Sequence, residues 1–314
     1  MIQIPSFLYL FRFQEFHYPL ADLESQALLK QSINIAQRFV TSQEKVDVTR
    51  SAFIDWGIEI LASGNTLKEL CDHLKLLKIE VHQARVEYPS AGLHPDVTKE
   101  HLFEVLEFVE GNFNLKHPEE RYALTRDHHL WYFGKIHSSH SSKFLKHRQK
   151  PATFSSALNA ITARTIINCL LDAGNNFLDC GCGSGSVTLE ACDSNLQVTA
   201  IDRSYQAVGM TRENVAHFGY EARIEQKDLM DWSEKHDSAV IDFPYGFSCK
   251  RDEEDEIKNI HHLFPLVKQV VFIASSDLSP LMTEIGYQIL NQKVMKYPNV
   301  TRYIIHAKAG RSHL

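Results

Sequence analysis

No apolar run in this 314-residue chain approaches the roughly 18 residues that a membrane-spanning helix needs. Cysteine is sparse: Cys71, Cys169, Cys180, Cys182, Cys192 and Cys249 are scattered, with no paired C-x-x-C zinc spacing and no disulfide framework. Reduced thiols are expected. Basic excess is missing too, since 33 Lys and Arg face 39 Asp and Glu for a formal charge of −6, which argues against non-specific binding to phosphate backbones. The N-terminus lacks the basic region and small-residue cleavage site of a secretory signal, so a cytoplasmic location is expected. There is no internal repeat and no low-complexity tract. At 44% hydrophobic and 23% charged, the composition is that of a globular protein long enough for two cores.

Seventeen histidines raise the question of metal, and His137 and His140 have an H-x-x-H spacing. Nothing nearby supplies third and fourth ligands, so solvated histidines and no metal are expected. One basic stretch stands out, Lys143, Lys146, His147, Arg148 and Lys150. It reads either as a solvated interdomain linker or as a strap contacting phosphates.

The second half alternates strands and helices. After a helical stripe from Ser156 to Ala173, strands are expected at 177–180, 197–201, 222–226, 239–241 and 270–274, with a helix at 205–218 and another near 278–285. Two adjacent strands, Gln288–Met295 and Val300–Ala307, close the chain. This pattern predicts a mostly parallel, doubly wound Rossmann-like sheet with an antiparallel edge hairpin. The first half reads as α+β, with strands at Phe7–Phe11 and Ala84–Val86 and helices at Leu20–Leu29, Ser51–Leu61 and Leu67–Lys75. The serines between His137 and Pro151 mark the boundary, dividing the chain into 1–145 and 146–314.

Chemistry concentrates in the second half. Gly181, Gly183 and Gly185 follow a buried strand and open a helix, where a glycine turn lets a ligand approach the backbone and the helix presents unpaired N–H groups. Asp202 ends the next strand, about 20 residues on, where an acidic residue accepts from ribose hydroxyls. Asp228, past the third strand, either accepts from an adenine amino group or caps the turn that follows. Asp179, just before the glycines, would face a ligand ammonium. The spacing favours a nucleoside bearing an amino-acid tail. At the fourth strand's end, Asp242-Phe243-Pro244-Tyr245 combines a carboxylate, a stiffened turn and an aromatic face, a set suited to a planar nitrogen base. Two other features read as structural: the acidic run 252–256 as a helix start, and Trp131, Tyr132 and Phe133 as core.

Residues 177–246 resemble class I S-adenosylmethionine-dependent methyltransferases, and Asp242-Phe243-Pro244-Tyr245-Gly246 resembles the D-P-P-Y-G motif of amino-group methylases. Within that class the chain resembles the THUMP-domain tRNA guanosine N2-methyltransferases acting at guanine 10. Tyr9 to Phe13, Leu23-Glu24-Ser25, Arg50-Ser51-Ala52-Phe53 with Trp56-Gly57, and His147-Arg148 with Ser155 to Leu158 carry this finer likeness. It implies a ferredoxin-like, THUMP-like RNA-binding region over 1–145, S-adenosylmethionine as cofactor, tRNA as partner and no metal; whether a small activating protein also binds stays open. It also implies that Asp242 and the Phe243 carbonyl accept from the target amine while Tyr245 stacks on the base. Cys180-Gly181 stands where that family has Pro-Phe, and Phe243 replaces the first proline, removing its fixed φ. The same motif serves N6 of adenine in RNA or DNA, and a chain with an altered tetrapeptide could also be a non-catalytic RNA-binding protein. Protein-glutamine methylases resemble N-P-P-Y instead.

Overall fold

A computed structural model describes residues 6–88, 97–127, 129–243, 253–298 and 301–310. The chain forms two compact units, Met1–Ser141 and Ser142–Leu314.

The first unit holds a seven-stranded sheet of β1 (Phe7–Phe11), β2 (Phe39–Ser42), β3 (Ile54–Gly64), β4 (Glu80–Glu87), β5 (Glu110–Phe113), β6 (Glu120–Arg126) and β7 (Trp131–Ser139), in the order β2-β1-β3-β7-β6-β4-β5. Among the described residues, three α-helices accompany it, α1 (Tyr18–Leu29), α2 (Leu67–Leu77) and α3 (Lys99–Leu106). The unit is α+β, but its pairing departs from the ferredoxin-like expectation. A split β-α-β unit returns the chain parallel with a strand between, whereas β2 lies antiparallel directly beside β1. Lys30, the left-handed cap that ends α1, and Arg38, just before β2, both have positive φ (57° and 49°).

The helix expected over Ser51–Leu61 is also corrected. Ile54, Trp56, Ile58 and Ile60 alternate, and β3 uses that period of two to pair with β1 and β7. The Arg50–Phe53 segment is therefore a turn. Its Ser51 hydroxyl donates to Glu24 Oε2 at 2.5 Å, and the N–H groups of Ala52 and Phe53 donate to the same carboxylate at 2.9 and 3.1 Å. Two short sequence matches thus meet in one buried polar knot. Trp131, Tyr132 and Phe133 are core residues, as expected.

The histidine expectation needs revision. His137 packs edge-on against Phe7 and Tyr9, at 5.7 and 6.1 Å between centroids, and His140 Nδ1 lies 3.2 Å from buried Asp55. Neither is simply solvated. Among the described residues, no cluster of three or more His, Cys, Asp or Glu side chains could hold a metal ion, and no helix is long and apolar enough to cross a membrane.

The second unit is a Rossmann-like α/β fold. Its strands are β8 (Asn176–Cys180), β9 (Gln197–Asp202), β10 (Arg223–Gln226), β11 (His236–Asp242), β12 (Val267–Ala274), β13 (Tyr287–Lys296) and β14 (Thr301–Ala309). They run β10-β9-β8-β11-β12-β14-β13, and all share one direction except β14, which lies antiparallel to both of its neighbours. The helices are α4 (Ala160–Leu170), α5 (Ser186–Cys192), α6 (Tyr205–His217), α7 (Glu253–Leu263) and α8 (Ser279–Ile285). From β8 the chain winds outward to β10 and then returns to pair β11 with β8. Strand order reverses there, and such a reversal opens a crevice at the carboxyl ends of the strands. The acidic run begins α7 as expected, although Glu256 is buried and Asp252 lies outside the described residues.

The basic stretch is not a loose linker. Ser142–Gln149 forms a 3-10 helix that buries Phe144 and His147, while Lys143, Lys146 and Arg148 stay exposed. The five described cysteines are buried free thiols, and Cys249 lies outside the described residues.

Candidate functional site

The glycine turn sits on the crevice formed by strand reversal. Gly181, Gly183 and Gly185 have φ of 73°, 56° and 76°, a left-handed backbone that strains any side chain with a Cβ. At Gly181 and Gly183 a side chain would start in open space, with no atom within 4 Å. Gly185 is closed in by Thr211, 3.1 Å from where its Cβ would be. Two glycines therefore leave a bare backbone facing outward, and the third lets α6 pack close. The N–H groups of Gly181 and Cys182 both donate to Ile201 O, at 2.8 and 3.0 Å, tying the turn to β9.

Asp202 ends β9 against this turn. Its Oδ2 accepts from Gly183 N at 3.0 Å and its Oδ1 from Ser204 N at 2.8 Å, so the carboxylate is fixed by two backbone donors while remaining half-exposed. Next to it, Lys227 N donates to Asp202 O at 3.0 Å, which brings Asp228 to the same edge. Asp228 Oδ1 accepts from Met230 N at 2.9 Å and caps the short turn Leu229–Asp231, the structural one of its two expected roles.

Asp179 is less available to a ligand than its position suggested. It is only 3% exposed, and its Oδ2 accepts from the Thr188 hydroxyl at 2.6 Å. Burial, with the like charges of Asp202 and Asp242 adding to it, pushes its pKa up to about 7. Three carboxylates therefore stand close enough to feel one another at the ends of β8, β9 and β11. A site with this field favours a cation.

Asp242 is half-exposed at the end of β11, registered beside Ile273 of β12. Phe243 follows and is buried in the hydrophobic core. Its ring is 3% exposed and stacks on Phe272 with centroids 6.0 Å apart and planes 6° from parallel, while its N–H donates to Ile273 O at 2.9 Å. Its side chain belongs to the core. Pro244, Tyr245 and Gly246 lie outside the described residues.

Sequence reasoning missed the residues that hold the turn from behind. Thr211 and Asn214, one helical turn apart on the buried face of α6, bond the carbonyls of Gly183 and Ser184 at 3.0 and 2.8 Å. Both are fully buried, which nothing in the sequence of α6 signals. Behind α5 lies a second polar group. His147 Nδ1 is 2.7 Å from Glu190 Oε1, Arg164 Nε lies 2.8 Å from Glu190 Oε2, and Arg164 Nη2 donates to Asp193 Oδ2 at 2.5 Å. Burial raises the Glu190 pKa, opposed by His147 and Arg164.

An adenosine-type ligand with a cationic tail fits what is present: bare glycine backbone, a fixed carboxylate at the second strand and an acidic field at the first. Residues 145–256 match the methyltransferase small domain family. The chain is 29% identical over 143 residues, 44% of its length, to a tRNA (guanine(10)-N2)-dimethyltransferase of Methanothermobacter thermautotrophicus, of which the match covers 41%. It is 40% identical over 62 residues to a probable cobalt-precorrin-6B C(15)-methyltransferase (decarboxylating) of the same organism, covering 19% of this chain and 32% of that one. The matches thus span less than half of these curated relatives. Among solved structures, TrmN from Thermus thermophilus aligns over 97% of this chain and 99% of its own, with 15% identity and a TM-score of 0.48.

Proposed function

We propose that the chain is an S-adenosylmethionine-dependent methyltransferase acting on the exocyclic N2 amine of a guanosine in tRNA, at guanine 10. The observation that carries the reading is the junction of β8, β9 and β11, where an open glycine turn, a carboxylate fixed by Gly183 N–H, and Asp242 share one crevice. When bound, S-adenosylmethionine supplies an electrophilic methyl group on a sulfonium. The cofactor role falls to Gly181, Gly183, Gly185 and Asp202, with Asp228 at the same edge and Asp179 below the tail. Asp202, held by two N–H donors, accepts from ribose hydroxyls without first having to be oriented.

A guanine exocyclic nitrogen is a weak nucleophile because its lone pair is delocalised into the ring. Asp242 accepts from that amine and draws on its proton, turning the lone pair toward the methyl donor. The Phe243 carbonyl and Tyr245 complete the proposed base site. The guanine-10 assignment is supported by the tRNA-modifying relative, and the role of a THUMP-like tRNA-binding region falls to the first unit, Met1–Ser141. Labelled methyl transfer from S-adenosylmethionine to unmodified tRNA, followed by nucleoside mapping, tests the reading. N2-methylated guanosine at position 10, lost in Asp242→Ala, is the expected result. N6-methyladenosine, or label equal in wild type and Asp242→Ala, overturns it.

A further inference from the structure

The entry to the second unit is bonded to the glycine turn through one side chain. Asn214 is completely buried in α6, and its amide is fully used: Oδ1 accepts from Ala152 N at 3.0 Å, while Nδ2 donates to Ala152 O at 2.7 Å and to Ser184 O at 2.8 Å. The amide orientation follows from its partners, because only the oxygen can satisfy the Ala152 N–H and only the nitrogen can serve two carbonyls. Ser184 lies inside the glycine turn. Ala152 lies just beyond the 3-10 segment that opens the unit, and 62 residues of chain separate it from Asn214.

Two further attachments hold that segment to the helix the turn opens. The Lys150 ammonium donates to the Ser186 hydroxyl at the first residue of α5, and His147 reaches Glu190 one turn further on. Tyr220 joins the group, with its hydroxyl 3.0 Å from His147 Nε2 and donating to Asp193 Oδ1 at 2.6 Å. The carbonyls of Gly183 and Ser184 are drawn toward α6 by Thr211 and Asn214. Fixing two successive carbonyls on the inner side sets the rotation of the peptide planes whose outer face a ligand would meet.

We propose that Asn214 is a positioning residue for the cofactor turn, locking the 142–152 entry segment and the glycine turn into one rigid support. This deepens the methyltransferase reading and rests on it. Asn214 does not touch the ligand crevice; it acts through Ser184. Asn214→Asp keeps the shape but sets an acceptor against two carbonyls, so the turn loses its anchor while the volume stays filled. Val215→Ala, on the same helix and buried without a polar role, provides a control for loss of stability alone.

The test uses the full chain. Calorimetric affinity for S-adenosylmethionine and thermal unfolding are measured for wild type, Asn214→Asp, Asn214→Ala and Val215→Ala, with methyl transfer to tRNA at saturating and limiting cofactor. Both Asn214 variants should bind the cofactor at least about tenfold more weakly at a temperature where all four proteins are folded. Their KM for cofactor should rise while kcat at saturation stays within about twofold, and Val215→Ala should keep wild-type affinity. Wild-type affinity in a folded Asn214→Asp protein overturns the proposal, as does equal weakening in Val215→Ala, which would mark a general effect of stability. If the wild type binds no S-adenosylmethionine, the methyltransferase reading fails, a result distinct from either. Should Asn214→Asp not fold, Asn214→Ala and Lys150→Met, which releases the segment from Ser186, carry the same comparison.

Discussion

Replacing Phe243 by proline would restore the residue found in the amino-methylase motif, yet the structure predicts damage. The Phe243 N–H donates to Ile273 O and extends the β11–β12 ladder by one rung. Proline removes that donor and leaves a carbonyl short of its partner, at about 1 kcal/mol or more. The ring is buried and stacked on Phe272, which in turn meets Tyr287 edge-on at 5.8 Å. Phenylalanine truncated to alanine in a core costs about 3–5 kcal/mol; proline keeps part of that volume, so about 2–4 kcal/mol is expected here. Together the loss is about 3–5 kcal/mol. In a unit the size of Ser142–Leu314, each kcal/mol lowers the melting temperature by about 2–4 °C, and a fall of roughly 6–20 °C should be visible by calorimetry. Phe243→Leu, which keeps the N–H and much of the apolar volume, should fall between wild type and proline. If Phe243→Pro melts with wild type and methylates faster, the ring was filling a base pocket, and the assignment of Phe243 to the core is wrong.

Asp202→Ala should weaken S-adenosylmethionine binding by about 1.5–3 kcal/mol through loss of a charge-assisted bond, and it also frees Gly183 N; unchanged calorimetric affinity would remove Asp202 from the site. Asp179 gives a pH dependence whose sign is fixed. Unfolded, it titrates near 3.8, and folded near about 7, so in that window the folded state holds the proton more tightly and stability falls as pH rises. The full span corresponds to about 4 kcal/mol, and Asp179→Asn should flatten this part of the profile in urea unfolding between about pH 4 and pH 7; an unchanged slope would mean that the group titrates normally. Glu190→Ala leaves the buried Arg164 guanidinium with Asp193 as its remaining carboxylate and should cost up to about 3 kcal/mol of stability; a loss below about 1 kcal/mol, read from urea midpoints, would show that Asp193 or solvent compensates.

Where pattern is local, the sequence carried the answer. Strand, glycine turn and helix follow one another over 176–192, and their meaning depends on backbone freedom at three glycines and on apolar runs that no distant contact needs to explain. Asp202 was equally legible, because a strand end one β-α unit later is a fixed distance away in this architecture. Residues 54–64 were not. Ile54, Trp56, Ile58 and Ile60 alternate as in a strand, but Ile54, Ile58, Leu61 and Ala62 also fit a helical stripe, and pairing with β1 and β7 on either side selects the extended form. Phe243 shows the same limit at one position, since the motif assigns it to a base site while β12 supplies a ladder partner and an aromatic face that draw it into the core. Asn214 marks the boundary most clearly. In sequence it is a polar residue in an amphipathic helix, indistinguishable from a solvated one. Its burial becomes favourable only because the backbone of Ala152 and Ser184 arrives from elsewhere in the chain to satisfy all three of its bonds, and a buried amide costs free energy unless such partners are in place.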